Sequence, residues 1–266
     1  MSKLTNQEYL KTDQYRDASN LDARATIHQR FSTNPYGWFN WLFDTLLKLP
    51  ENANMLELGC GHGLLWKDNA SRIPAGWRIT LSDLSPGMLD AAWRNLVVTG
   101  RPFQFKEIDA QSIPFEDETF DAVIANFMLY HIPDRPKALH EIKRVLKPGR
   151  KLLAATVGQK HMKEIMEYLQ QVHVNNIWTS YAILFTLENG LEQLQSVFKN
   201  VSLSRYKDHL NITEVEPIMA YIRSSMRATE LSEAEIARVQ VTLEKEMKEK
   251  GMIVIQKDSG LFEAIK

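Results

Sequence analysis

The sequence predicts an α/β fold in which a doubly wound, mostly parallel sheet is covered by helices on both faces. The main observation is that short apolar runs alternate with helical stretches between residues 55 and 157. Strands in strict alternation with helices need crossover connections, which favour a parallel sheet. The helix boundaries agree: Ser85 precedes Pro86 as an N-cap followed by proline at the first helical position, and Lys147-Pro148-Gly149 stops a later helix.

The elements of this central region are assigned in chain order from the spacing of apolar residues. Short apolar runs bounded by turn residues are typical of buried strands, and apolar residues at helical spacing indicate amphipathic helices. The predicted order is strand 55–58, helix 65–73, strand 77–81, helix 86–98, strand 103–108, strand 120–125, helix 136–146 and strand 151–157.

Mainly helical segments flank this region. Helices are predicted at 20–31 and 37–49, and the second is apolar almost all round, so another element must cover it. Further helices are predicted near 161–177 and 188–198, and the last helix follows Ser232, with Glu235 in the capping-box position. The extended runs 252–255 and 261–265 could pair with 201–206 as an antiparallel edge.

We therefore predict two parts. Residues 1–50 form an N-terminal helical cap, and residues 51–266 form the main domain, with helical insertions at about 160–199 and 208–251.

The composition narrows the class of protein. Lysine and arginine total 32 against 33 acidic residues, so the net positive field typical of nucleic-acid binding is absent. The single cysteine, Cys60, allows no internal disulfide and fits a reducing compartment. The first 13 residues are too polar for a signal peptide, and the longest apolar run, 122–130, is too short to span a bilayer. We expect a soluble, cytoplasmic protein without nucleic-acid or membrane partners.

A glycine-rich turn follows the first strand. Gly59, Gly61 and Gly63 alternate with other residues just before a helix, a pattern that lets a ligand approach backbone N–H groups. Leu64 stands where a dinucleotide-binding motif has its third glycine, and Glu57 precedes the turn. A carboxylate there repels a pyrophosphate and suits a cationic ligand.

Polar residues also end the next three strands. Asp83 lies at the end of the second strand, where a carboxylate can accept both hydroxyls of a ribose. Asp109 follows the third strand and could accept an adenine amine, while the backbone N–H of Ala110 could donate to the adjacent ring nitrogen. Asn126 ends the fourth strand, beside the glycine turn.

Together, these ordered motifs resemble class I S-adenosylmethionine-dependent methyltransferases, closest to their small-molecule, type 11-like branch. The resemblance spans about the middle 100 residues and rests on segments 55–63, 82–89, 108–115, 120–131 and 145–152. It implies a Rossmann-like sheet of seven strands, mostly parallel, with a reversed last strand. One departure is Arg150, where the family usually has a second glycine, in a loop remote from the cofactor.

The resemblance also implies roles for the cofactor-binding residues. Glu57 orients the methionine ammonium, and Gly59 and Gly61 pack against the methionine part, with Cys60 in the same loop. The remaining residues are Asp83 for the ribose diol, Leu84 and Met88 for the adenine faces, Asp109 and Ala110 for the adenine edge, and the Asn126 carbonyl for the ammonium. The implied cofactor is S-adenosylmethionine and the product is S-adenosylhomocysteine.

Several of these residues also have a purely structural interpretation. Asp83 could cap the helix after Pro86, and Asp109 could cap a turn. Cys60 has no adjacent base and is interpreted as a small loop filler rather than a nucleophile. Arg24 and His28, four residues apart on the first helix, could cover the cofactor or belong to a solvated helix face.

The candidate catalytic residues are His131 and Tyr130, which follow the fourth strand near the expected methyl group. Either could accept a proton from the acceptor. The histidine could equally be hydrogen-bonded packing, because methyl transfer often needs only positioning and a nucleophilic acceptor.

The predicted function is methyl transfer to a small-molecule acceptor, by in-line displacement. Segments 9–41, 175–185 and 211–226 could form a lid, and their aromatic and methionine residues suggest a partly apolar acceptor. The sequence lacks a Pro-Pro-aromatic motif after Asn126 and a Pro-Cys pair, which argues against methylation of the exocyclic amines of nucleic acid or glutamine and of cytosine C5. No metal-ligand spacing is present, so metal-dependent chemistry has no positive support. The alternatives are a non-catalytic regulator on the same fold, a protein methyltransferase and a nicotinamide-dependent oxidoreductase.

Overall fold

The computed structural model describes residues 2–172 and 184–266, and these form a seven-stranded sheet flanked by helices. In sheet order the strands are β3 (Gln104–Glu107), β2 (Arg78–Asp83), β1 (Asn54–Leu58), β4 (Phe120–Asn126), β5 (Leu146–Val157), β9 (Ser259–Ile265) and β6 (Asn200–Tyr206). Pairing is parallel from β3 to β5, and β9 runs antiparallel to β5 and β6. The predicted doubly wound sheet with a reversed last strand is confirmed.

Helices precede and connect these strands. In chain order they are α1 (Gln7–Tyr9), α2 (Ser19–Phe31), α3 (Trp38–Leu46), α4 (Leu64–Asp68), α5 (Pro86–Val97), α6 (Arg135–Val145), α7 (Lys163–Val172), α8 (Gly190–Gln195), α9 (Val215–Arg223) and α10 (Glu233–Lys250). The π-helical turn Leu10–Gln14 continues α1. None of the described helices combines the length and the apolarity that a bilayer crossing requires.

The two faces of the sheet have separate apolar cores. Along β4, Ala122 and Ile124 pack with α3, α4 and α5, whereas Val123 and Ala125 pack with α6 and α8. This alternation follows from the period of two along a strand. The aromatic helix predicted at 37–49 is α3, and the sheet covers its buried residues Leu42, Phe43 and Leu46.

A third core lies beside the sheet. It joins α2, α7, α9 and α10 with a small antiparallel pair, β7 (His209–Ile212) and β8 (Ile253–Gln256). Helix α10 begins at the predicted capping box, where Ser232 and Glu235 bond each other's backbone N–H groups.

Two predictions about strands need correction. The run 252–255 does not pair with 201–206: β8 pairs with β7, because Ile253 and Ile255 face the third core. Strand β5 begins at Leu146 rather than residue 151, since Leu146 already pairs with Phe120 before a register shift across the turn that contains Gly149. The predicted helix beyond Val172 and most of the candidate lid 175–185 lie outside the described residues.

Candidate active site

The carboxyl ends of β1 and β2 meet at the glycine turn, and the strand order reverses between β1 and its other neighbour, β4. Gly59, Gly61 and Gly63 all have positive φ angles, of 65°, 54° and 79°, a backbone conformation that favours glycine. Asp83 holds this turn, because its Oδ2 accepts from the Gly61 N–H at 3.0 Å and its Oδ1 from the Ser85 N–H at 2.9 Å. Asp83 therefore does not cap α5. That cap is Ser85, whose Oγ accepts from the Met88 N–H.

Glu57 is buried next to Asp83 in this turn. Its Oε2 accepts from Trp66 Nε1 at 2.5 Å, and it is 2% exposed. Burial raises the pKa of Glu57 to about 8, and the nearby Asp83 adds to the shift. Burial likewise raises the pKa of Asp83 to about 6, against the opposing effect of its backbone hydrogen bonds. In the described part of the chain neither carboxylate forms an ion pair, so the pocket favours a cationic group.

Asp109 and Ala110 follow β3 at the same edge of the sheet. Asp109 Oδ1 accepts from the Gln111 N–H at 2.9 Å, so its interpretation as a turn residue is correct. Its Oδ2 accepts from Gln7 Nε2 at 3.0 Å. The side-chain amide of Gln7 therefore occupies the hydrogen-bonding position that we predict for an adenine amine. No motif marks Gln7, which sequence reasoning missed.

The other predicted cofactor-binding residues lie around the same turn. Met88 and Ala110 are buried, and Leu84 is half-buried. Asn126 ends β4, where its Oδ1 accepts from Trp38 Nε1 at 3.2 Å. Burial raises the pKa of the Cys60 thiol well above its usual range, which supports its interpretation as an unreactive filler.

The N-terminal segment 7–21 covers this edge of the sheet. Lys11 pairs with Glu107 at 2.6 Å, and Ser85 Oγ donates to the Tyr15 carbonyl at 2.6 Å. The Arg16 carbonyl approaches Gly87 so closely that a Cβ there would lie 1.8 Å from its oxygen. Leu21 of α2 reaches the glycine turn, with Cδ2 2.9 Å from the position of a Cβ on Gly61. The segment therefore shields the strand ends from water.

His131 lies beneath this segment and is hydrogen-bonded through both ring nitrogens. Its Nδ1 is 2.9 Å from the Leu4 carbonyl oxygen and its Nε2 is 2.9 Å from the Tyr15 hydroxyl. Because a carbonyl can only accept, Nδ1 carries the proton and the Tyr15 hydroxyl donates to Nε2. Burial lowers the pKa of His131 to about 4, so the ring is neutral near pH 7. Sequence reasoning missed Tyr15, which no local pattern links to residue 131.

Tyr130 packs against the His131 ring, with ring centroids 4.6 Å apart. Burial raises the pKa of its phenol far above the usual range. The neutral phenol is therefore strongly favoured, and Tyr130 is a poorer base than His131. Within the described residues, no group of three or more His, Cys, Asp or Glu side chains is arranged to hold a metal ion.

Comparison with known proteins identifies the central region. Residues 56–154 match a family model described as a methyltransferase domain. The chain is 36% identical over 109 residues to sterol 4-C-methyltransferase of Caenorhabditis elegans, covering 40% of this chain and 32% of that relative. It is 30% identical over 156 residues to malonyl-[acyl-carrier protein] O-methyltransferase of Erwinia pyrifoliae, covering 58% and 57%. The chain thus spans less than two thirds of the length of either relative.

A solved structure with a similar fold is phosphoethanolamine N-methyltransferase 2 of Haemonchus contortus, in complex with phosphomonomethylethanolamine and S-adenosylhomocysteine. The TM-score is 0.59 at 22% identity, over 98% of this chain and 60% of that one. At this identity the similarity extends to the fold alone.

Proposed function

We propose that the chain, whose residues 56–154 match a methyltransferase domain, is a class I S-adenosylmethionine-dependent methyltransferase that transfers a methyl group to a small-molecule acceptor in the cytoplasm. The observation that carries the proposal is the set of carboxylates around the glycine turn. Glu57 is buried and Asp83 is partly buried, and neither has a cationic partner in the described residues, which suits a ligand that brings an ammonium and a ribose diol.

The residues present fit this cofactor. Each Asp83 oxygen accepts one backbone N–H and retains a second lone pair for a ribose hydroxyl. Glu57 would hold the ammonium together with the Asn126 carbonyl, and Gly59, Cys60 and Gly61 would line the methionine part. Leu84 and Met88 would flank the adenine, and Ala110 would bind its edge. Asp109 can contribute only when a side-chain amide that now donates to it, that of Gln7 or of Gln111, releases it.

Methyl transfer requires the protein mainly to position the acceptor against the methyl group and to provide a proton acceptor. When bound, the cofactor supplies a methyl group on a sulfonium that is already activated. The chain's residues then hold the acceptor in line and exclude water, which segment 7–21 does from above. The Nε2 of His131 is the available base, and a proton would reach it through the Tyr15 hydroxyl that donates to it.

We also propose a separate role for each of the two parts of the chain. Residues 1–50 act as an N-terminal helical cap and residues 51–266 as the methyltransferase domain, with helical insertions at about 160–199 and 208–251 that contribute to acceptor selection. Residues of α2 and α9 share the third core, so the cap and the second insertion pack against each other.

Binding and turnover test the function directly. We expect calorimetry to show S-adenosylmethionine and S-adenosylhomocysteine binding to the wild-type protein, and a screen of small acceptors to show S-adenosylhomocysteine release. Binding without turnover on any small or protein acceptor would favour a regulator. Turnover on a protein alone would favour a protein methyltransferase, and NADH binding without S-adenosylhomocysteine binding would favour an oxidoreductase.

Cofactor binding is expected to release a proton from Glu57. With a pKa of about 8 in the free protein, Glu57 is mostly protonated at pH 7, whereas holding an ammonium requires the carboxylate. Binding at pH 7 should therefore release ~0.9 proton, and affinity should rise up to ~10-fold per pH unit as pH increases toward 8. Calorimetry in two buffers of different ionisation enthalpy measures the number of protons released on binding.

The Glu57→Gln variant is the control for this effect, because it should bind more weakly and lose the pH dependence between pH 7 and 8. Proton release that persists in this variant would assign the titration to another group. The same shift affects stability: the folded-state pKa lies above the unfolded value of 4.5, so this contribution declines as pH rises from 4.5 toward 8.

A further inference from the structure

Arg24 of α2 is partly buried, and its guanidinium is not used by the proposed chemistry. Its Nη2 is inaccessible to solvent and has no hydrogen-bond partner. The guanidinium lies 5.4 Å from the centroid of the Tyr15 ring. Its strongest electrostatic neighbours are the phenols of Tyr15, Tyr130 and Tyr221, and it also hydrogen-bonds the Tyr15 side chain, which leaves Nη2 unsatisfied. The interpretation of this residue as part of a solvated helix face is therefore wrong.

In the part of the chain that the structure describes, Arg24 has no acidic partner, unlike several other arginines. Among the described residues, Arg30 on the same helix pairs with Glu214, and Arg72 and Arg144 also pair with carboxylates, whereas Arg24 forms no ion pair. A buried charge without a counter-ion is strongly unfavourable unless a ligand supplies one. Planar guanidinium groups bind carboxylates and phosphates through paired hydrogen bonds.

A second unsatisfied group lies one turn away. His28 Nδ1 is also inaccessible and without a hydrogen-bond partner. Burial lowers the pKa of His28 well below its usual value, with Lys257 and His161 nearby, so the ring is neutral and adds a polar contact rather than charge. Lys257 itself pairs with the buried Asp208, so it is not available as a counter-charge.

Helical spacing places these groups relative to the cofactor site. Residues 21, 24 and 28 lie on one face of α2, about 1.5 Å of rise apart per residue. Leu21 reaches Gly61 of the glycine turn, and Arg24 lies one turn beyond it, against the Tyr15 ring whose hydroxyl reaches His131. His28 continues this polar surface away from the turn.

We propose that Arg24, with His28, binds an anionic group of the methyl acceptor, a carboxylate or a phosphate. The proposal rests on the proposed methyl transfer. It predicts an acceptor with an anionic end and a body that fits among tyrosine rings, which refines the expectation of a partly apolar substrate. The cofactor's own carboxylate is the competing source of the anion. The acceptor is favoured because His28 extends the unsatisfied polar surface beyond the glycine turn.

The test titrates S-adenosylhomocysteine-saturated protein with inorganic phosphate and with sodium acetate, against sodium chloride at equal ionic strength, following the melting temperature. The variants are Arg24→Gln and Arg30→Gln, which remove the same charge from the same helix. We expect phosphate or acetate to stabilise the wild type and Arg30→Gln equally, and Arg24→Gln to lose at least ~10-fold in anion affinity. The anion that binds more tightly indicates whether the acceptor carries a phosphate or a carboxylate.

Parallel calorimetry separates the two sources of the anion. We expect the dissociation constants of S-adenosylhomocysteine for the wild type and for Arg24→Gln to agree within about twofold. If Arg24→Gln weakens S-adenosylhomocysteine but not 5′-methylthioadenosine, which lacks the carboxylate, Arg24 serves the cofactor and the proposal fails. It also fails if neither anion stabilises the wild type more than chloride, or if Arg24→Gln retains anion affinity.

The thermal stability of the variant and its S-adenosylhomocysteine binding distinguish an anion site from a structural role. Removal of an uncompensated buried charge should leave the unliganded Arg24→Gln at least as heat-stable as the wild type, whereas a structural role predicts a lower melting temperature. If Arg24→Gln does not fold, the structural role is supported and the proposal is rejected. Anion binding lost in Arg24→Gln, in a protein that binds no S-adenosylhomocysteine, would support the anion site while rejecting methyl transfer.

Discussion

Replacing Asp83 with alanine is expected to weaken S-adenosylhomocysteine binding by at least ~100-fold. An ionised carboxylate that accepts two ribose hydroxyls contributes about 1.5–3 kcal/mol per bond. The substitution also removes the acceptor that fixes the Gly61 N–H, so the glycine turn loses its anchor. Isothermal calorimetry on the folded variant measures the loss, and its thermal unfolding transition verifies that the fold is intact.

The matched control for Asp83 is Asp90→Ala. Asp90 is an exposed carboxylate on α5 that pairs with Arg94, so its removal makes the same change in net charge close to the site. We expect wild-type affinity from this variant. A folded Asp83→Ala protein that still binds S-adenosylhomocysteine within about threefold of the wild type would remove Asp83 from the ribose site.

The site elements that the sequence predicted are those fixed by local geometry. A strand that ends in Asp83 delivers that carboxylate to the edge of a parallel sheet wherever the rest of the chain goes. The glycines after β1 likewise need their positive φ angles for a tight turn into α4. Local patterns of this kind were enough to predict the sheet and the positions of its carboxylates.

The contacts that the sequence did not predict join residues far apart in the chain. Gln7 reaches Asp109, and Tyr15 reaches His131, across 102 and 116 residues. Neither contact follows from helical or strand spacing, because each depends on the path of the N-terminal segment over the sheet. The pairing of β8 with β7 was missed for a similar reason, since a short apolar run does not specify which core it joins.

Replacing His131 with asparagine is expected to lower kcat by ~100-fold at saturating cofactor. The asparagine amide can still donate to the Leu4 carbonyl, as Nδ1 does, but it provides no base in place of Nε2. Tyr15→Phe should have a similar effect, because it removes the hydroxyl that His131 accepts. The double variant should be no more than about threefold slower than either single one, since the two groups act as one unit.

A turnover assay on an acceptor found by screening measures these rates, with His140→Asn as the control. His140 is an exposed histidine on α6 whose Nδ1 also contacts a backbone carbonyl, that of Pro136, so its replacement should leave kcat unchanged. Because the pKa of His131 is about 4, its protonation should not reduce kcat between pH 6 and 8. If His131→Asn folds, binds S-adenosylhomocysteine normally and retains full kcat, the histidine is hydrogen-bonded packing and the acceptor needs no base.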